Sequence, residues 1–215
     1  MNQGYEQAAE HMINPSTSSP ADRLRTQSAR ISRWFAWGGG ALILASAALI
    51  TLDVIFRNLT KSTFFESFEL SGYAFAISTS FGLAFAFFSK AHIRIEVVYN
   101  LLPRTARAWL DVLSVLTLAV IAIVLAYWCA HTVLQNADSG ARSNSTLGMR
   151  IAIPQAIWLT GLLWFAFVVT ATGIVALLRM LSGGSSAVIA ELGVATLDEE
   201  ISASVDKPSG PRAEN

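Results

Sequence analysis

Apolar and polar positions in this chain come in long blocks rather than in short alternations. Four stretches contain no Asp, Glu, Lys or Arg: Trp34–Leu52, Leu70–Phe88, Val112–Ala130 and Ile151–Leu178. A helix rises about 1.5 Å per residue, so each is long enough to cross about 30 Å of hydrocarbon. The pattern predicts an all-α integral membrane protein. Its four transmembrane helices are expected at about residues 34–56, 68–88, 109–131 and 151–178, within a membrane domain of residues 31–181.

The flanks read differently. Residues 1–30 are polar, with no apolar core near the start, so they are expected to be a disordered tail and not a cleaved signal. The first helix then directs insertion itself. Residues 182–215 are small, polar and acidic, the composition of a mobile tail, with a short helix expected only at Ala187–Ile201.

Between the second and third apolar runs, Lys90–Pro103 mixes charge with apolar residues. As a helix it places Ile93, Val97, Val98, Leu101 and Leu102 largely on one arc, with Glu96 and Asn100 opposite. It therefore reads as a cytoplasmic interfacial connector, either a basic membrane-surface element or a docking site for another subunit. The alternation from Ile93 to Val97 also fits a strand, but a lone strand at a membrane has no partner for its backbone groups. Pro103 ends the element before Arg104 and Arg107 open the third helix.

Charge near the helix ends sets orientation. One side holds Arg23, Arg25, Arg30, Arg33, Lys90, Arg94, Arg104, Arg107 and Arg179; the other holds Arg57, Lys61, Arg142 and Arg150. Nine against four predicts cytoplasmic termini in a multi-pass membrane protein. Composition agrees with a membrane class: of 215 residues 53% are hydrophobic and 14% charged, and mean hydropathy is +0.48. The zero formal charge gives no footprint for nucleic acid.

Chemistry is sparse. A lone Cys129 makes neither an internal disulfide nor a thiol metal cluster, and reads as a small buried hydrophobe. His92 and His131 fall at opposite membrane faces and His11 in the tail, so no two imidazoles share a depth at which to hold a haem. No nucleophile triad, pocketed carboxylate pair or phosphate-cradling loop stands out, so no cofactor, metal or enzyme activity is expected. None of the four runs carries a mid-bilayer ionisable residue, the usual mark of an ion path. The nearest are Asp53 and Arg57, four residues apart on one helical face. They read as a structural pair, within the helix or shared with a neighbouring helix or subunit, or else as a substrate contact. Glu66 and Glu69 precede or open the second helix, where carboxylates meet the helix dipole favourably.

Contact is what the helices offer instead. Gly72, Ala76, Ser80 and Ala84 repeat every four residues, as do Ser78, Gly82 and Ala86; such rows admit a close neighbour, from this chain or another. Gly38–Gly40 fit the same purpose. Phe81, Phe85 and Phe88 form a further stripe, lipid-facing or in contact. Most of the six tryptophans sit near run ends, as interfacial anchors do.

Taken in order, these pieces resemble a known family. Asp53-Val54-Ile55-Phe56-Arg57-Asn58 ends the first helix and Phe68-Glu69-Leu70 opens the second. Phe81-Gly82-Leu83-Ala84 is followed by Lys90-Ala91-His92-Ile93-Arg94-Ile95-Glu96, then by Leu101-Leu102-Pro103, and Ile153-Pro154 opens the last helix. From Trp34 to Arg179 the chain resembles the small membrane subunit, DctQ-like, of tripartite ATP-independent periplasmic (TRAP) transporters. Ala91 stands where that family often has glycine, and Phe65 where it often has tryptophan.

The resemblance implies a non-catalytic accessory or scaffold subunit of a sodium-coupled secondary transporter. Its partners would be a large multi-helix membrane subunit, which carries the ion and substrate sites, and a periplasmic substrate-binding protein. The cargo would be an organic anion such as a dicarboxylate, keto acid or sugar acid. Residues assigned to subunit contact or structure are Asp53, Arg57, Glu69, Gly72, Ala76, Ser80, Gly82, Ala84, His92, Arg94 and Pro154. The residues alone leave two other classes open: a stand-alone oligomeric carrier or channel, and a small membrane redox anchor. The first needs a polar pore face and the second a set of ligands at one depth.

Overall fold

The computed structural model describes residues 20–60, 67–89, 103–145 and 148–182. They form four helices: α1 (Pro20–Thr60), α2 (Ser67–Phe88), α3 (Arg104–Asp138) and α4 (Ala152–Leu181). All four are long and apolar enough to cross a membrane. Among the described residues there is no strand, only an isolated bridge between Arg142 and Arg150 in the α3–α4 turn. This is an all-α membrane protein. The connector residues 90–102, with His92 and Arg94, lie outside the described residues, as do Lys61, Glu66, residues 1–19 and the tail from residue 183.

Two helices exceed their expected bounds. α1 begins at Pro20, so residues 20–30, expected to be disordered, are helical. Proline suits the first helical position, where its missing N–H would have no intrahelical acceptor. Ala21, Leu24, Arg25, Gln27, Ala29 and Arg30 are then good helix formers with no breaker among them. Polarity was the wrong signal there, because a helix leaving the bilayer loses its apolar residues without losing its backbone hydrogen bonds. α3 likewise runs on to Asp138. It stops where Gly140 takes φ +63°, a left-handed conformation that glycine adopts without steric cost.

Contacts divide the chain into two units, Met1–Ile93 with Val115–Val175, and Arg94–Ser114 with Ala176–Asn215. In the larger unit, α1, α2 and α4 approach closely at glycines. A β-carbon on Gly39 would lie 3.1 Å from the Ser78 carbonyl oxygen and 3.2 Å from its Cα. One on Gly161 would lie 2.6 Å from Ser80 Oγ, 2.7 Å from Phe81 Cδ1 and 2.9 Å from the Ser80 carbonyl carbon. Ser78 Oγ donates to the Gly39 carbonyl at 2.8 Å. Phe35 packs on Phe81 with ring centroids 4.8 Å apart and on Trp164 at 6.1 Å. Trp164 Nε1 donates to the buried Ser32 Oγ at 3.0 Å. Lipid tails are as apolar as the side chains, so burial alone drives little association in a membrane. Close packing and interhelical hydrogen bonds hold helices together instead, and both occur here.

On α3 of the same unit, Val115, Ala119, Ala122, Ala126 and Val133 form a buried stripe with helical spacing. Gly173 of α4 meets it, its missing β-carbon 3.2 Å from Leu116 Cδ2 and 3.4 Å from Val115 Cγ1. In the smaller unit Ala108, Asp111 and Val112 of α3 and Ala176 and Met180 of α4 are buried.

Candidate functional site

The C-terminal end of α1, the start of α2 and the α3–α4 turn come together on one side, here called distal, opposite the N-terminal end of α1. Two knots of polar side chains form there. Asp53 is only 1% exposed, and its Oδ2 accepts from Arg57 Nη2 at 2.9 Å and from Ser67 Oγ at 2.7 Å. The i,i+4 spacing places the arginine over the carboxylate, and Ser67, the first residue of α2, ties the two helix ends together. Arg57 itself is 57% exposed. The other carboxylate oxygen, Asp53 Oδ1, is buried and has no hydrogen-bond partner among the described residues.

In the first turn of α2, Glu69 makes a second knot. Its Oε1 accepts from Tyr73 Oη at 2.5 Å, again at i,i+4, and its Oε2 accepts from Ser145 Oγ in the α3–α4 turn. That turn is internally braced. Ser143 N donates to Met149 O at 2.9 Å, Ile151 N to Ala141 O at 3.2 Å, and Arg142 Nη1 to Gly148 O at 3.1 Å. Gly140 and Gly148 are left-handed there, with φ of +63° and +53°. Asn136 of α3 donates to Gln155 of α4 at 2.8 Å across the base of the turn.

The sequence-assigned residues fall in different settings. Asp53, Arg57 and Glu69 are at the distal knots. In the small-residue row of α2, Ser80 and Ala84 are buried, Ala76 is half-buried, and Gly72 is exposed. A β-carbon on Gly72 would meet nothing within 4 Å, so this chain occupies that row only toward its C-terminal half; Gly82, in the second row, is likewise open. Pro154 is buried and lines an apolar cavity of about 290 Å³ with Leu42, Leu49, Tyr73, Ile77 and Met149. Of the three glycines at 38–40, only Gly39 makes a close approach. Cys129 is a free thiol, half-buried. Among the described residues no three His, Cys, Asp or Glu side chains come together as a metal site would need.

Sequence reasoning missed Gly161, Ser32, Ser67, Tyr73 and Ser145. Tyr73 had a visible signal in its spacing from Glu69. The other four had none, because their partners lie far away in the chain.

The arrangement can brace helices, and among the described residues no Asp, Glu, Lys or Arg stands at mid-span. The Asp, Glu, Lys and Arg residues of the described helices stand toward their ends, and the interior contacts involve glycine, serine, aliphatic side chains and aromatic rings. Residues 46–182, well over half the chain, match the family described as tripartite ATP-independent periplasmic transporters, DctQ component. No curated protein and no solved structure matches. The matched segment begins within α1, takes in both distal knots, and ends at the close of α4, and on that ground the chain belongs to the DctQ component family of the tripartite ATP-independent periplasmic transporters.

Proposed function

We propose that this chain is the accessory, non-catalytic membrane subunit of a sodium-coupled, binding-protein-dependent importer of organic anions. The family match over residues 46–182 carries the reading. Its partners are a large multi-helix membrane subunit, which holds the ion and substrate sites, and a periplasmic binding protein that delivers cargo. The absence of charge from the apolar runs supports a supporting role, since an ion path through lipid needs polar or ionisable groups along it. The distal knots fix the ends of α1, α2 and the α3–α4 turn against one another, giving the partner a preformed surface. The excess of Lys and Arg on the terminal side supports cytoplasmic termini in the inner membrane.

Two experiments test this. Co-expression with the large membrane subunit should yield a stable complex that survives purification; recovery of the two proteins separately under mild detergent would overturn the reading. Single cysteines at Asn58 and Ser143, in the Cys129→Ala background, should react with an impermeant reagent from the periplasmic side. Reaction only from the cytoplasm would reverse the topology.

A further inference from the structure

The first helix is about twice as long as a bilayer requires, and its two faces are unlike. At about 100° per residue, Ser32, Phe35, Gly39, Leu42, Ser46 and Asp53 fall on one side of α1. These include the residues that hydrogen-bond or pack against α2 and α4. Arg23, Arg30, Arg33, Trp34, Trp37 and Leu44 fall on the other, within an arc of about 100°. All six are exposed, with Trp34 at 74%, Trp37 at 73% and Leu44 at 73%.

Along that outer face the order is basic, aromatic, aliphatic. Arg30 and Arg33 stand about one turn before Trp34 and Trp37, and Leu44 follows toward the middle of the helix. This is the order of layers met on entering a bilayer from water: charged head groups, then the interfacial zone preferred by tryptophan, then acyl chains. Neither Arg30 nor Arg33 has a hydrogen bond or ion pair among the described residues. Pro20–Trp37 contains four arginines and one acid, Asp22, so the stretch is strongly basic.

We infer that the outer face of α1 at Arg30, Arg33, Trp34 and Trp37 is a binding surface for the head group of an anionic phospholipid in the leaflet on the N-terminal side. Two guanidinium groups three residues apart can converge on one phosphate through paired N–H donors. The tryptophans fix the depth at which they do so, with the lipid tail lying beside Leu44. The charge of the surface selects an anionic lipid over a zwitterionic one. The inference needs only that α1 spans the membrane, and is independent of the cargo and coupling proposed above.

The test is native mass spectrometry of the full chain in complex with its large membrane subunit, titrated with phosphatidylglycerol or phosphatidylcholine. Wild type should retain phosphatidylglycerol in preference to phosphatidylcholine. Arg30→Gln/Arg33→Gln should weaken phosphatidylglycerol binding by about five-fold per arginine, corresponding to about 1 kcal/mol for each charge near an anionic surface. Arg30→Lys/Arg33→Lys should keep most of the binding, and Arg142→Gln/Arg150→Gln, at the distal end, should keep all of it. Millimolar inorganic phosphate should not displace the lipid. Four results would each overturn the inference: no lipid preference in wild type, as when the large subunit covers this face; no change in the Arg30/Arg33 glutamine variant; equal losses in the distal variant; or displacement by phosphate.

Discussion

The middle of the larger unit and its distal end are held by different physics. At the middle, Gly39 and Gly161 let backbones approach until a single added carbon would crowd Ser78 or collide with Ser80. At the distal end, Asp53 and Glu69 collect hydrogen bonds from Arg57, Ser67, Tyr73 and Ser145. The difference follows from the medium. In hydrocarbon a charge is costly and hydrophobic burial drives little, so shape must do the holding. At the interface a carboxylate is tolerated and can bind donors from separate helices and turns at once.

The largest effects should come from the middle, and with opposite signs at two glycines of similar sequence context. Gly161→Ala puts a methyl within 3 Å of the Ser80 backbone and should destabilise the isolated chain by about 1–3 kcal/mol, with Gly161→Leu worse. Gly82→Ala meets open space and, by helix propensity, should be neutral or stabilise by up to about 1 kcal/mol. Thermal unfolding in mild detergent compares them directly. A loss at both positions would mean that glycine serves something other than close approach.

Next in size is the distal pair, where the order of the two partners matters. Arg57→Ala leaves a buried carboxylate with Ser67 as its one remaining donor among the described residues, and should cost about 2 kcal/mol. Asp53→Asn leaves an arginine that already reaches water, and should cost about 1 kcal/mol. Equal losses would show that the pair is solvated and that the burial of Asp53 does not govern its energetics.

The smallest effect expected is at the second knot. Tyr73→Phe removes one donor from the part-buried Glu69 and should cost about 0.5 kcal/mol. It should also raise protease or hydrogen-exchange sensitivity in the α3–α4 turn, which Glu69 holds through Ser145. Unchanged protection of that turn would separate Tyr73 from its bracing.

Much of this was legible before any coordinates. Apolar run length gave the four helices, because in hydrocarbon a chain must satisfy its own backbone. The Asp53–Arg57 pairing followed from four-residue spacing, a local property. Partners outside the helical repeat were not legible: Ser67 lies 14 residues from Asp53, Ser145 lies 76 from Glu69, and Ser32 lies 132 from Trp164. Gly161 gave no sign because it stands alone, while Gly72 advertised a contact that this chain leaves open. A row of small residues records where a neighbour can come close, not how far along the row it does so. The helical extension at residues 20–30 was hidden by its polarity, which reports the surrounding solvent rather than the backbone conformation.

The account stands on the claim that this chain supports transport without performing it. The direct measurement is uptake of radiolabelled organic anions into liposomes under an inward sodium gradient, with this chain alone, with the large subunit alone, and with both together plus the binding protein. The account predicts no uptake by the chain alone and uptake only by the full set. Gradient-driven uptake by this chain alone would contradict it.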